Sequence, residues 1–382
     1  MSNKTASTAS LDRNAGHNAA PKRFEGSGSL WPATLHLSTR PPRLIYLDLN
    51  HWIELAKALS GHRDGTKHRP VLDTCISAVE DGKAIFPLSA YIYAEISKIA
   101  NHRQRRDLRE VIELVCRHMV VTPLTVVVAH EVEALLDKIL GPRPLPLNPT
   151  DYLDWGVERA FGKVGGLKIE SPDGHDITEQ FRRAYPRGPA AFDRVLLSAK
   201  LALNRTAIKG PTPREEPRLR DLGWNPEAVV KVFEQKASDE LAQVRRFDSH
   251  PNWRVGRTRD AITAREAIVE IGDIFNEGFE HRGGISAADK FFSVERDQLS
   301  ARYHSMPSFN VSVTLKTSLH RDPNHKWTNN DFYDIGALAL TVPYCDVVLT
   351  DRSMLSHVAR HNLSQRYGTA VLSRLVDLLA YL

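Results

Sequence analysis

Two short apolar runs, each closed by an aspartate, constrain this chain more than any other feature in it. Leu44-Ile45-Tyr46-Leu47 ends in Asp48, and Val347-Val348-Leu349 passes through Thr350 to Asp351. Such runs are apolar at every position rather than at alternate ones. That pattern fits strands buried on both faces, as in a parallel sheet flanked by helices. They stand near opposite ends of a 382-residue chain. Whatever lies between them must leave one sheet and return to it.

The pattern around each run supports this. After strand 43–48 the spacing predicts a helix over 51–60 with Asn50 as its N-cap, a polar loop, and a helix over 70–81. A strand at 84–88, a Ser89-capped helix carrying Glu95, a helix over 103–118, a strand at 119–122 and a helix over 130–140 follow. Gly141-Pro142-Arg143-Pro144 breaks the alternation. From 141 to 304 only helical segments are expected, at 192–204, 226–245, 258–280 and 287–304. The alternation returns with a helix over 331–342, strand 347–349, a helix over 353–361, a strand at 369–373 and a closing helix to 382. The expected fold class is therefore α/β, a Rossmann-like parallel sheet split by a large, mainly helical insertion. Its core would be 41–140 with 305–382, and its insertion or cap 141–304. Residues 1–40, rich in Ser, Thr, Asn and Gly, read as a flexible tail.

Composition excludes some classes. The chain is 42% hydrophobic and 25% charged, as ordinary globular proteins are. No apolar run approaches the roughly 18–20 residues of a membrane span, and no secretory leader is evident. Three cysteines (Cys75, Cys116, Cys345) lack metal-ligand spacing and fit a reducing cytoplasm. The glycine-rich signatures of nucleotide binding are missing. The net charge of +5 permits nucleic-acid contact, with basic clusters at 102–106, 182–183, 214–220 and 245–259. Lys316, His320, Arg321, His325 and Lys326 read either as phosphate contacts or as a solvated loop.

The acids carry the chemistry. Asp48 and Asp351 close apolar strands, and carboxyl ends of parallel strands share one edge of a sheet, where ligands bind. Glu95 lies in the helix after the second strand, and Asp331 and Asp334 share a face near the start of another helix. Asp346 opens the strand that Asp351 closes, so it belongs at the opposite edge and reads as structural. Carboxylates gathered at one edge repel unless a cation sits among them. An oxygen-only set suits Mg²⁺ or Mn²⁺ rather than zinc, and such ions activate water against phosphodiesters. The plainer alternatives are a cap for Asp48, a surface acid for Glu95 and a dipole-favoured first-turn pair for Asp331 and Asp334.

The order of these acids resembles the PIN-domain family of metal-dependent nucleases. The matching pieces are Ile45-Tyr46-Leu47-Asp48, Pro87-Leu88-Ser89 through Glu95, Asp331-Phe332-Tyr333-Asp334-Ile335-Gly336-Ala337, and Asp346-Val347-Val348-Leu349-Thr350-Asp351-Arg352. The resemblance covers roughly 43–125 and 328–382. It implies a PIN-like sheet, with Mg²⁺ or Mn²⁺ on Asp48, Glu95, Asp334 and Asp351 and with Asp331 as a fifth acid. It also implies cleavage of RNA ahead of DNA. Family members include toxins of toxin–antitoxin modules, so an antitoxin or other partner protein, a defence role and a homo-oligomer stay open. An inactive PIN-like nucleic-acid-binding or scaffold protein is the alternative, and a small-ester phosphatase a third class. The insertion departs from small family members, so their substrate choice does not carry over.

Overall fold

The computed structural model describes residues 28–37, 42–212, 214–221, 225–250, 252 and 256–382. In chain order its strands are β1 (Leu35–His36), β2 (Arg43–Leu47), β3 (Ala84–Ile85), β4 (Met119–Val121), β5 (Thr150–Asp151), β6 (Leu153–Trp155), β7 (Val347–Leu349) and β8 (Ala370–Leu372). The central sheet has the order β3-β2-β7-β8 and every pairing in it is parallel. Leu88, just beyond β3, bridges in parallel to Val120 of β4 and extends the layer. The chain is thus a mixed α/β protein with its two ends joined in one sheet: Ile45, Tyr46 and Leu47 stand opposite Val347, Val348 and Leu349.

Both faces of this sheet are covered, which is why its strands are apolar throughout. Ile45, Leu47, Val348 and Leu349 are fully buried beside Trp52, Leu55, Leu72, Ile112 and Leu340 from the flanking helices. A second core belongs to the insertion. There Phe275, Phe279, Phe291 and Tyr303 stack ring to ring and pack with Val132 and Leu136 of helix Leu124–Leu140. One helix, Pro307–Arg321, joins the two cores. Val311, Leu315 and Leu319 face the sheet core, while Phe309 and Val313 face the aromatic core.

Several sequence expectations are corrected. Residues 1–27 and 38–41 lie outside the described residues, but 28–37 are not tail. Leu35 is buried, β1 pairs with β5, and the Leu30 amide donates to the Ser305 carbonyl at 2.8 Å. The insertion is not strand-free either, since β6 pairs antiparallel with β4. Helix Pro307–Arg321 occupies a stretch of the core to which the sequence pattern assigns no element. The expected helices over 258–280 and 287–304 are each broken in two, as Thr258–Val269 with Gly272–Glu280, and Ile285–Phe292 with Arg296–His304. Asp48, not Asn50, occupies the N-cap position of helix Leu49–Leu59, without a side-chain cap bond.

Candidate metal centre

The site grows from the carboxyl edge of the sheet. Leu47 is opposite Leu349, and the Asp48 amide donates to the Leu349 carbonyl at 3.0 Å, so Asp48 and Asp351 emerge from neighbouring strands. Asp351 caps helix Arg352–Arg360 by accepting from the Met354 amide at 2.9 Å. Asp48 stands at the matching position of helix Leu49–Leu59, yet its side chain makes no cap bond. Its near polar contact is Asn50 Nδ2, which donates to Oδ2 at 3.3 Å. Capping would have been the structural use of Asp48, and it is not taken up.

Glu95 arrives on helix Ala90–Ser97, whose start is fixed to the sheet by Ser89. The Ser89 side chain caps that helix and its hydroxyl lies 2.8 Å from the Tyr46 hydroxyl of β2. Asp334 arrives on helix Asn329–Thr341. Gly336 lets these two helices approach: a Cβ there would overlap the Tyr91 ring. The residues Asp334-Ile335-Gly336 are therefore coupled, the glycine setting how near the acid comes to Glu95.

The electrostatics record the convergence. Burial pushes Glu95 up from 4.5 to about 8, with Asp48 adding to the rise and Lys98 opposing it. Burial pushes Asp334 from 3.8 to about 8, reinforced by Asp48, Asp351 and Glu95 in that order. Asp48 is also raised by burial and by Asp351, against the Leu49 and Asn50 amides and His51. Asp48, Glu95, Asp334 and Asp351 thus form one repelling set with little counter-charge.

Asp331 is held differently. Burial alone would raise its carboxyl, but His325 and Thr328 outweigh that and leave it lowered. Its Oδ2 accepts from the Thr328 amide at 2.6 Å and hydroxyl at 3.0 Å, closing a capping box, and His325 lies 3.3 Å away. Expected as a fifth ligand, Asp331 instead serves the start of its helix. Asp346 sits at the far edge, where its Oδ2 accepts from the Leu44 amide at 2.8 Å.

Sequence reasoning passed over Lys98 and His51. Lys98 Nζ lies 3.7 Å from the centre of the Tyr333 ring, and its charge acts on Glu95 and Asp334. Its place three residues after Glu95 was the available signal. The buried His51 follows Asp48 by three and leaves Nδ1 without a partner. By contrast, Lys316 and His320, which read either as phosphate contacts or as a solvated loop, are buried. Lys316 Nζ is 2.7 Å from Glu266 and 3.4 Å from Glu240, and His320 Nε2 is 2.7 Å from Glu240. Some members of the basic clusters are engaged within the chain: Arg105 donates to the Ile208 carbonyl, and at the surface Arg182 pairs with Asp193 and Arg220 with Glu216 and Glu227.

Among the described residues, no group of three or more His, Cys, Asp or Glu side chains is gathered so that it could enclose a metal by itself. Nor is any helix among them long and apolar enough to cross a membrane. No family model matches the chain, and no curated protein or solved structure is significantly similar to it.

Proposed function

We propose that this chain is a metal-dependent nuclease of PIN-like fold that hydrolyses phosphodiester bonds, in RNA ahead of DNA. The observation that carries the reading is the mutual elevation of Asp48, Glu95 and Asp334 beside Asp351. Four acids from separate elements act on one another's charge at the carboxyl edge of a parallel sheet, which supports this reading.

The donor set fits Mg²⁺ or Mn²⁺. It is all oxygen, and Mg²⁺ keeps several waters while taking one or two carboxylates. A three-ligand cage is therefore not required. Asp48 is the foremost candidate to hold the ion, because its oxygens are not engaged in capping, with Asp334 and Glu95 beside it. When bound, such an ion lowers the pKa of water and offsets charge on a phosphodiester. The chain's own groups do the positioning. Asn50 orients the Asp48 carboxylate, Lys98 restrains Glu95 and Asp334, and Gly336 holds the two acid-bearing helices together.

The test is incubation of the purified chain with single-stranded RNA and DNA, with Mn²⁺ or with chelator, wild type beside Asp48→Asn. Cleavage that needs Mn²⁺ and drops at least ~100-fold in Asp48→Asn is expected, in line with loss of a metal ligand. RNA binding without cleavage under any divalent cation would favour the inactive nucleic-acid-binding alternative. Faster hydrolysis of a small phosphate ester than of any polynucleotide would favour a phosphatase.

A further inference from the structure

Four arginines with no ion pair among the described residues, Arg259, Arg321, Arg360 and Arg366, lie along one seam between insertion and core. Arg259, on helix Thr258–Val269, reaches across to helix Pro307–Arg321. It donates from Nη1 to Thr314 Oγ1 at 3.2 Å and from Nη2 to Asn310 Oδ1 at 3.0 Å. Asn310 Nδ2 donates to the Tyr367 hydroxyl at 2.8 Å, and the Arg366 guanidinium carbon lies 5.7 Å from the centre of that ring. Residues 310, 314, 318 and 321 form one stripe by helical spacing, the first three buried and supporting the seam from beneath, Arg321 exposed at its end. Ser318 on this stripe contacts His357 Nδ1 at 2.8 Å. His357, Arg360 and His361 in turn share a face of their own helix. The stripe ends at Arg321, whose charge, with those of Arg259 and Arg360, depresses His361 after burial has done so.

Other arginines buried between insertion and core are paired with carboxylates. Arg265 lies 2.7 Å from Glu240, and Arg282 lies 2.7 Å from Glu133. No ion pair to a carboxylate is formed by Arg259, Arg321, Arg360 or Arg366 among the described residues. Arg366 Nε and His361 Nε2 are buried and have no hydrogen-bond partner. Crowding unpaired cations is unfavourable, and an anion with several acceptor oxygens would relieve it. The seam also leads to the acids, because His357 and Arg360 stand on helix Arg352–Arg360, which Asp351 caps.

We propose that this seam is a phosphate-binding track that grips the backbone of a polynucleotide whose scissile bond lies at the carboxylate edge. Its ligand is the phosphodiester itself, read by charge and by forked guanidinium donors rather than by base identity. This inference rests on the nuclease reading above, which supplies the polynucleotide.

The test uses the full chain in chelator, so that binding is measured without cleavage. The probe is a short fluorescent single-stranded RNA, titrated by anisotropy across a range of KCl concentrations. Arg321→Gln and Arg360→Gln remove exposed guanidiniums that make no hydrogen bond among the described residues, and an unchanged melting temperature checks the fold. The double variant should bind every RNA sequence more weakly, with a salt slope shallower by about 0.7 for each phosphate that is no longer neutralised. Arg259→Lys, which keeps the charge but loses the fork, should weaken binding with little change of slope. No RNA binding by wild type, or an unchanged slope in the double variant, overturns the proposal. So does displacement of the RNA by a mononucleotide or inorganic phosphate at equal phosphate concentration, which would mark a small-ligand pocket. Arginine-dependent binding with no Mn²⁺-dependent cleavage would sink the nuclease reading and support the track. Cleavage with arginine-indifferent binding would do the reverse.

Discussion

At the scale of single residues, the acids of the site work against the stability of the fold. Glu95 and Asp334 are both raised to about 8 in the folded chain, from 4.5 and 3.8. Folding therefore favours their protonated forms, so their contribution is present at low pH and is lost as pH rises from the unfolded values through about 8. In chelator the melting temperature of wild type should fall across that window. Glu95→Gln and Asp334→Asn should flatten the fall, leaving each variant more stable than wild type above pH 8 by something on the order of 1–3 kcal/mol, allowing for partial exposure. Thermal melts at several pH values decide this, and variants less stable than wild type at high pH would contradict it. Lys98 acts in the opposite sense, lowering Glu95. Lys98→Met should shift the acidic limb of the cleavage pH profile upward by roughly half a unit to one unit.

At the scale of elements, one close approach sets the site. Gly336→Ala would drive a methyl group into the Tyr91 ring and separate helix Asn329–Thr341 from helix Ala90–Ser97. Overpacking of this kind costs about 1–3 kcal/mol. Tyr91→Ala in the same chain should offset part of that cost, giving a non-additive double-mutant cycle in denaturant melts; strict additivity would deny that the two residues touch. Elements with strong local signals were legible in the sequence. Val347–Leu349 is a strand at the expected residues, and Ser89 caps the Glu95 helix as expected. Helix Pro307–Arg321 was not legible, because it is buried nearly all round and meets its neighbours with Ser308, Asn310, Thr314, Thr317 and Ser318. It therefore shows no single apolar stripe. Strands of two or three residues such as β5 and β6 carry too little periodicity to register. In the site, the sequence set Asp331 apart as a fifth acid beside Asp48, Glu95, Asp334 and Asp351, but the capping box that engages Asp331 was not legible, because it depends on where the helix starts.

At the scale of the whole molecule, the insertion is bound to the core by buried charge. Glu240 and Glu266 come from the insertion, while Lys316 and His320 come from the helix that joins the two cores. Arg265 also reaches both glutamates, at 2.7 and 3.0 Å. Lys316→Met would leave two buried carboxylates under-compensated, and about 3–5 kcal/mol of stability should be lost. Denaturant unfolding followed by far-UV circular dichroism measures it, and a loss below ~1 kcal/mol would show that the network does not tie insertion to core. One element links the proposed track to the acids, since Arg360 stands at the far end of the helix that Asp351 caps.

If Asp48, Glu95 and Asp334 hold a divalent cation, calorimetric titration of Mn²⁺ into the protein at neutral pH will show it. Because Glu95 and Asp334 carry protons near neutrality, binding should release protons, so the measured heat should change with the ionisation enthalpy of the buffer. Asp48→Asn and Asp334→Asn should each weaken binding ~10-fold or more while remaining folded. Mn²⁺ binding that is absent in wild type, or equally tight in both variants and without proton release, would contradict the account.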